Sequence, residues 1–303
     1  MTIELLTNPR AAKLWCDAAR ARGQRIGFVP TMGGLHVGHL SLVESALAEN
    51  DVACVSVFVN PLQFGQASDL ENYPGTLEGD ARELERIGCP MVFSGTLAEF
   101  FPDELDERGR LPQHEMRDPG PGASGVEGTC RTGHFEGVAT IVDRLFDVVG
   151  PDSAYFGQKD FQQTLVVRHL AEQRGGPRIV VCPTSREASG LARSSRNERL
   201  SPQERRQAEA LSRSLSRAAE RWQAGERDAE RLEAALAEEL DGAGVRVEYT
   251  AVRDLDHWSS ERPAGTLERA VALVAAIVGP VHLLDNHILS EPAPVPALGT
   301  PRP

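Results

Sequence analysis

Short apolar runs alternate with amphipathic segments along the first 183 residues of the chain. These runs predict strands over residues 25–29, 52–59, 91–93, 154–156 and 178–182. The clearest is 52–59, which is continuous and rich in β-branched residues, as in a strand that is buried on both faces. The segments between them place apolar residues three and four positions apart, which is the helical spacing; they span residues 40–49, 77–87, 137–149 and 161–173. Strands that alternate with helices in this way predict an α/β fold, with a parallel sheet covered by helices on both faces.

The pattern changes after about residue 183. Two helices rich in Ala, Arg and Glu are predicted first, and a cluster of strands follows them; the helices span 202–224 and 228–240, and the strands 245–252, 270–277 and 281–284. This order is typical of a second, smaller α+β domain. We therefore predict a first domain over 1–183, a second over 184–290, and a disordered tail over the proline-rich residues 291–303.

The polar interval 102–125 carries several prolines and glycines, which predict a long loop. No apolar run approaches the length of about 18 residues that spans a bilayer. No basic region with an apolar stretch opens the chain, and the five cysteines are scattered without a C-x-x-C pair. Neither a secretory signal, a zinc site nor a disulfide framework is therefore expected, and the cytoplasm is the expected compartment.

Acidic residues outnumber basic residues 44 to 32, which gives a net charge of −12. Electrostatic binding of nucleic acid over a broad surface is not expected from such a chain, because a protein needs a basic face to neutralise the phosphates. Only Lys13 and Lys159 are lysines, and every other basic residue is arginine. A GC-rich genome would explain this scarcity, and it also makes each lysine a candidate for a specific role.

One strand runs directly into a glycine-rich turn and a helix, in the order Pro30-Thr31-Met32-Gly33-Gly34-Leu35-His36-Val37-Gly38-His39. Open α/β sheets bind ligands at the carboxyl ends of their strands, beside helix N-termini. The glycines would let a phosphate approach the backbone closely. If the helix begins near Leu35, His36 and His39 lie on one face, and both imidazoles converge on one anion.

Three interpretations of this histidine pair are open. The histidines could be incidental to the turn, or they could share a zinc ion, although no third ligand is apparent nearby. H-x-G-H directly after strand-Pro-Thr-Met-Gly is more specific, because it resembles the nucleotidyltransferase superfamily. That resemblance implies that the pair binds ATP phosphates and stabilises the transition state for attack at the α-phosphorus.

A second, basic element follows much later, as Gly190-Leu191-Ala192-Arg193-Ser194-Ser195-Arg196-Asn197. Its hydroxyl and guanidinium groups can donate several hydrogen bonds to phosphate oxygens. The same residues could simply cap the next helix. The presence of H-x-G-H in the same chain favours the phosphate role.

Further motifs make the resemblance specific. They are Phe58-Val59-Asn60-Pro61-Leu62-Gln63-Phe64, Tyr73-Pro74, Gly133-His134-Phe135-Glu136-Gly137, Tyr155-Phe156-Gly157-Gln158-Lys159-Asp160-Phe161-Gln162-Gln163 and Leu283-Leu284-Asp285-Asn286. Together with the two phosphate motifs, they resemble the pantothenate synthetase (pantoate–β-alanine ligase) family, in its order and over about residues 25–286.

The resemblance implies a homodimer of two-domain subunits, with a Rossmann-like N-terminal domain and a smaller C-terminal lid. It also implies a two-step, Mg²⁺-dependent reaction. Pantoate attacks the α-phosphorus of ATP to give pantoyl adenylate and pyrophosphate, and β-alanine then attacks the acyl carbon to give pantothenate and AMP.

The family's site residues carry over as follows. The catalytic donors would be His36, His39 and Lys159, where Lys159 could instead be a solvated surface lysine. ATP would also be bound by Pro30, Thr31, Met32, Gly38, Gly157, Asp160, Ser194, Ser195 and Arg196. Pantoate would be bound by Gln63 and Gln163 between apolar walls, which could equally be ordinary core, formed by Met32, Phe58, Val138, Ile141 and Val142. The amine side would be formed by Asn60, Tyr73 and Arg196, and Asp80 is the candidate Mg²⁺ ligand.

Several positions depart from the family pattern: Gly75, Gly79, Ser189 and Arg193. Since they fall near the predicted binding sites, a paralogue that joins another hydroxy acid to another amine is the main alternative. A nucleotidyltransferase that releases its adenylylated product and a non-catalytic nucleotide-binding protein are also open. An aminoacyl-tRNA synthetase fragment is disfavoured, because neither an anticodon-binding domain nor a basic tRNA face is evident.

Overall fold

The computed structural model describes residues 2–63 and 76–294. The predictions for Tyr73, Gly75 and residues 295–303 therefore lie outside the described residues. The chain divides into two compact units; the first comprises 1–123, 131–158 and 162–183, and the second comprises 124–130, 159–161 and 184–303. The predicted boundary at residue 183 stays a prediction, and the second unit also takes in two short earlier segments.

Six parallel strands form the sheet of the first unit, in the order β1-β4-β3-β2-β5-β6. The strands are β1 (Glu4–Leu6), β2 (Ile26–Thr31), β3 (Val52–Val57), β4 (Met91–Phe93), β5 (Ser153–Gly157) and β6 (Arg178–Cys182). The prediction of an α/β fold with a parallel sheet is confirmed.

Helices follow the strands, and several begin at a residue that caps them. Asn8 accepts the N–H of Arg10 with Pro9 as the first helical residue, and Thr76 accepts the N–H of Gly79. The helices are α1 (Pro9–Ala21), α2 (Val37–Glu49), α3 (Leu77–Arg86), α4 (Leu97–Phe100), α5 (Val126–Cys130), α6 (His134–Val149) and α7 (Phe161–Arg174).

The two faces of this sheet bury different apolar layers, because neighbouring residues of a strand point to opposite faces. Phe28 packs with Phe93 and Phe146 on the face that α1 and α6 cover. Val29 lies on the other face, among Val43 of α2 and Leu84 of α3. The continuous apolar strands of the sequence are thus strands with two buried faces.

Strand β2 lies at the point where the order of strands reverses. Its neighbours are β3, which follows it in the chain, and β5, which comes much later. Crevices at such reversal points hold ligands in open α/β sheets, at the carboxyl ends of the strands. The fold therefore places the residues that follow Thr31 and Gly157 at the ligand-binding edge.

The polar interval 102–125 is largely irregular, as predicted, and it contains short 3₁₀ turns at Gln113–Glu115 and Pro121–Ala123. Arg117 ties it to α6, because its backbone N–H donates to Thr140 Oγ1 at 2.9 Å and its Nε to Asp143 at 2.6 Å. This loop is thus anchored along α6.

The second unit is built on an antiparallel sheet in the order β7-β8-β9. Its elements are α8 (Pro202–Gln223), α9 (Ala229–Gly242), β7 (Arg246–Asp254), β8 (Ala270–Val278) and β9 (Val281–Ile288). Leu211 and Leu215 of α8 pack with Leu232 of α9 and Val274 of β8 in one core. Among the helices in the described part of the chain, none is long and apolar enough to cross a bilayer.

The Glu233 carboxylate organises a buried ion pair in the second unit. It accepts the backbone N–H of Val252 at 2.8 Å, Nη1 of Arg253 at 3.0 Å and Nε of Arg262 at 2.6 Å. The side chains of Arg253 and Glu233 are only 10% and 8% exposed. We expect Glu233→Ala to lower the free energy of unfolding by about 3–5 kcal/mol, because it leaves a buried guanidinium without its counter-charge.

Chemical denaturation followed by circular dichroism measures this change. Glu230→Ala is the matched control, because Glu230 also pairs with Arg262 but has a side chain that is 75% exposed. We expect the control to change the stability by about 0.5 kcal/mol or less. Equal losses in the two variants would contradict the buried pair's role.

Candidate active site

The helix after the glycine-rich turn begins between the two starts that the sequence suggested, Leu35 and Leu40. Helix α2 starts at Val37, and His36 is its N-cap residue in an extended conformation, with φ −129° and ψ 174°. His36 thus lies just before the helix, and His39 lies in its first turn. The physical reason is that the His36 side chain takes the place of the usual capping oxygen.

His36 and His39 cap the helix reciprocally. His36 Nδ1 accepts the N–H of Gly38 at 3.1 Å, and His39 Nδ1 accepts the N–H of His36 at 3.4 Å. The two rings stack with centroids 4.1 Å apart. An Nδ1 atom that accepts a hydrogen bond carries no proton, so the cap favours the tautomer with the ring proton on Nε2.

The backbone N–H groups of the turn donate within the chain. Gly33 donates to Thr31 Oγ1 at 3.2 Å, while Gly34 and Leu35 donate to the two oxygens of Asp80 at 3.0 and 2.8 Å. These three amides therefore have acceptors within the chain, and the expectation that a phosphate approaches this backbone closely stays a prediction.

Asp80 was the candidate Mg²⁺ ligand. It is buried in the first turn of α3, and burial raises the pKa of its carboxyl, although the N–H groups of Leu35 and Gly34 oppose that rise. Each of its oxygens accepts a backbone N–H, and its Mg²⁺ role stays a prediction. Within 2–63 and 76–294, no cluster of three His, Cys, Asp or Glu side chains is arranged to hold a metal.

Gln63, Met32 and Asn60 come together in the first unit. Nε2 of Gln63 donates to Sδ of Met32 at 2.7 Å, and Nδ2 of Asn60 donates to Oε1 of Gln63 at 3.1 Å. Asn60 is buried, and its amide also donates to the Gly137 carbonyl at 3.1 Å and accepts the N–H of Leu62. Asn60 therefore orients Gln63, while its predicted amine-side role stays a prediction.

The turn that carries Gln63 rests against the start of α6. A Cβ atom on Gly137 would lie 2.2 Å from the Leu62 carbonyl oxygen. His134 Nδ1 is 3.1 Å from the carbonyl oxygen of Gln63, and Arg131 Nη2 donates to the same oxygen at 3.4 Å. Close helix packing and these contacts fix the backbone of Gln63.

The apolar wall residues lie in the core of the first unit: Phe58, Val138, Ile141 and Val142 are each at most 8% exposed. Their packing role is thus clear, and their pantoate role stays a prediction. Gln163 differs, because it is half-buried on α7 and its side-chain amide makes no hydrogen bond to the residues that the structure describes.

Lys159 lies in the short 3₁₀ helix Gln158–Asp160, directly after β5 and before α7. Its side chain is 18% exposed, and Nζ is 3.2 Å from Oδ1 of Asp160. Nδ2 of Asn286 in β9 donates to the Lys159 carbonyl at 2.7 Å. Lys159 is therefore not a freely solvated lysine, unlike Lys13, which is 52% exposed on α1.

The loop with the two serines is stabilised in the second unit by buried charges. Arg186 pairs with Asp285, at 2.6 Å from Nη1 to Oδ2, and Asn197 donates to the Ala192 carbonyl at 3.0 Å. Ser194 caps the short 3₁₀ helix Ser195–Arg199, and Ser201 caps α8. The capping interpretation is thus true of Ser194, and it leaves the phosphate role as a prediction.

Comparison with known proteins decides the family. The family model described as pantoate-beta-alanine ligase matches residues 4–288. A protein named pantothenate synthetase from Pseudomonas fluorescens (strain Pf0-1) is 45% identical over 97% of this chain and 99% of its own. Its namesake from Pseudomonas aeruginosa (strain UCBPP-PA14) is also 45% identical, over 94% of this chain and 97% of its own.

Solved structures that resemble this chain carry the names of the same family. The pantothenate synthetase of Thermus thermophilus is 38% identical, with a TM-score of 0.82 over 94% of this chain and 99% of that one. The pantoate-beta-alanine ligase of Francisella tularensis, complexed with β-γ ATP and β-alanine, is 29% identical, with a TM-score of 0.74 over 95% of this chain and 98% of that one.

The chain belongs to the pantoate–β-alanine ligase family. It is thus an ATP-dependent, AMP-forming acid–amino acid ligase of pantothenate biosynthesis. The resemblance drawn from the motifs is confirmed.

Two departures from the family pattern are accommodated locally in this ligase. Arg193 donates through Nε to the Arg186 carbonyl at 3.2 Å, within its own loop. At Gly79, a Cβ atom would lie 2.9 Å from Oγ1 of Thr76, so the missing side chain suits the cap of α3. These contacts give both residues a local structural role, and their effect on substrate choice stays a prediction.

Sequence analysis named the residues of the candidate site but missed two of their long-range contacts. The contact of Asp80 with Gly34 and Leu35 joins residues about 45 positions apart, and that of Asn286 with Lys159 joins residues 127 apart. The spacing of residues along the chain does not predict contacts between such distant residues. For the contact of Asn286 with Lys159, the sequence showed only that Asn286 belongs to one of the family's motifs.

The packing of Gly137 against Leu62 can be tested with Gly137→Ala. We expect the free energy of unfolding to fall by about 1–3 kcal/mol, because the new methyl group must displace the backbone of the Gln63 turn. Thermal and chemical denaturation measure the change. Gly242→Ala in α9 is the control, because nothing lies within 4 Å of its Cβ position. If Gly137→Ala lowered the free energy of unfolding no more than Gly242→Ala does, the close packing would be refuted.

Proposed function

We propose that this ligase condenses pantoate with β-alanine to pantothenate through a pantoyl adenylate. The pantoate carboxylate attacks the α-phosphorus of ATP, and pyrophosphate leaves. The β-alanine amine then attacks the acyl carbon, the amide bond forms, and AMP leaves. The observation that carries the proposal is the reciprocal cap of His36 and His39 beyond β2, which stacks two imidazoles at the N-terminus of α2.

In this proposal the imidazoles and Lys159 stabilise negative charge that develops on the phosphates as pyrophosphate departs. Fixed donors aimed at developing charge are a large source of catalysis, because they need no reorganisation during the reaction. Each Nε2–H donates to a phosphate oxygen, and the Lys159 ammonium supplies a positive charge. The helix N-terminus adds its partial positive charge.

The remaining contacts are assigned by the same logic. Ser194, Ser195 and Arg196 hold the outer phosphates, and the Arg196 guanidinium makes no ion pair with the described residues. Gly157 and Asp160 meet the ribose, and Pro30 and Thr31 line the ATP site. Gln63 and Gln163 donate to the oxygens of pantoate. The half-buried amide of Gln163 has no hydrogen-bond partner among the described residues, which favours it as a ligand.

Mg²⁺ belongs to the proposal as a companion of ATP. Asp80 accepts the N–H groups of Gly34 and Leu35, and it belongs to no cluster of three metal-binding side chains within the described residues. We therefore assign no protein ligand and route no step through the ion; its usual position in such enzymes is on the phosphates. A homodimer and a cytoplasmic location remain part of the proposal.

The reaction can be tested with purified protein, ATP, Mg²⁺ and pantoate, with and without β-alanine, read by mass spectrometry. We expect pantothenate, AMP and pyrophosphate in equal amounts with β-alanine. Without β-alanine we expect pyrophosphate and enzyme-bound pantoyl adenylate, in no more than one equivalent. Pyrophosphate release with a free adenylylated product would favour a nucleotidyltransferase. Amide formation only with another acid or amine would favour the paralogue.

The assigned donors are tested by His39→Ala and Lys159→Ala. We expect each to lower kcat by about 10²-fold or more, because each removes a transition-state donor. Lys13→Ala is the matched lysine control, and we expect it to keep wild-type kcat because its partner is Asp17 on the exposed face of α1. Near-normal turnover in either site variant would refute the role of that residue.

A further inference from the structure

The carboxylate of Asp80 reaches from α3 to the glycine-rich turn and accepts two consecutive backbone N–H groups. Oδ2 lies 3.0 Å from the nitrogen of Gly34, and Oδ1 lies 2.8 Å from the nitrogen of Leu35. Asp80 is only 5% exposed and lies in the first turn of its helix, where a negative charge is stabilised by the helix dipole. Two short, charge-assisted contacts of this kind form a rigid clasp.

The turn is shaped around this carboxylate. Gly33 and Gly34 adopt φ values of 90° and 63°, the left-handed region that favours glycine. A Cβ atom on Gly33 would lie 3.0 Å from Oδ2 of Asp80 and 2.9 Å from Cγ1 of Val57. A side chain at this position would therefore push against the carboxylate, and the glycine lets the clasp close.

The clasped residues lead directly into the histidine cap, because His36 follows Leu35. We propose that Asp80 is a positioning residue: it sets the Gly34–Leu35 turn so that His36 stands at the N-cap of α2 and its imidazole can act on ATP. The inference rests on the proposed function of His36 and His39 as phosphate donors. A displacement of about 1 Å in such a group can cost about 10²-fold in rate.

A direct metal role for Asp80 makes a different prediction. A carboxylate oxygen can accept an N–H and coordinate a cation through another lone pair, so the Mg²⁺ dependence of the reaction is what separates the two roles. If Asp80 held Mg²⁺, its loss would raise the Mg²⁺ concentration that the reaction needs, and excess Mg²⁺ would restore activity. A positioning residue lowers kcat at every Mg²⁺ concentration.

The test compares Asp80→Asn and Asp80→Ala with Glu78→Gln, an exposed acid in the same helical turn. Asp80→Asn keeps one acceptor but turns an NH₂ group toward the second N–H, so we expect kcat to fall about tenfold. Asp80→Ala removes both acceptors, and we expect kcat to fall by about 10²-fold. The KM values for pantoate and β-alanine should stay within about twofold, because the clasp contacts neither glutamine of the pantoate site. Glu78→Gln should match the wild type.

Amide hydrogen exchange followed by NMR reads the clasp without any substrate. We expect faster exchange at Gly34 and Leu35 in both Asp80 variants, and also at Gly38, whose N–H donates to His36. Should Gly38 stay protected while Gly34 and Leu35 open, the clasp does not position His36 and the proposal fails. Restoration of kcat by excess Mg²⁺, or a wild-type kcat in Asp80→Ala, would also overturn it.

These readouts separate this inference from the proposed function. If the wild type makes no pantothenate, the function fails, and the exchange at Gly38 still decides whether Asp80 sets the cap. If Asp80→Ala does not fold, Asp80→Asn carries both measurements, because its amide fills nearly the same volume.

Discussion

The site depends on a reciprocal cap in which two imidazoles replace the usual oxygen acceptors at the start of a helix. Once Nδ1 of His36 accepts the N–H of Gly38 and Nδ1 of His39 accepts that of His36, the ring proton has one place left, on Nε2. The fold thus fixes the tautomer before any substrate binds. A donor fixed in this way is the preorganised kind that electrostatic catalysis needs.

This arrangement differs from a phosphate cradle made of backbone amides. In the turn beyond β2, the N–H groups of Gly33, Gly34 and Leu35 all donate to side chains of the chain itself. The glycines therefore permit a tight turn and a close carboxylate rather than a row of free amides. The chain as a whole is acidic, with a net charge of −12. One of its two lysines, Lys159, nevertheless follows the carboxyl end of β5 directly.

Much of the fold followed from periodicity. Strands buried on both faces read as continuous apolar runs, and the bounds of β4 and β6 agree with the sequence prediction residue for residue. The site was predicted in its motifs but not in its contacts. The sequence could not show that a histidine would cap α2, since the usual capping residues are Ser, Thr, Asp and Asn. The sequence predicted that Asp80 binds Mg²⁺ and that Asn60 lies on the amine side. In the structure, the carboxylate of Asp80 and the amide of Asn60 form hydrogen bonds with backbone groups. Those bonds join distant segments, and pattern reasoning detects only neighbours.

The central claim is that His36 and His39 are neutral rings with the proton on Nε2. The ¹⁵N chemical shifts of the two imidazoles, recorded with and without a non-hydrolysable ATP analogue, test it most directly. The account predicts an acceptor-type Nδ1 and a protonated Nε2 in both rings of the free enzyme, with the analogue shifting Nε2 far more than Nδ1. A proton on Nδ1 in either ring, or Nε2 chemical shifts that do not change when the analogue is added, would contradict this claim.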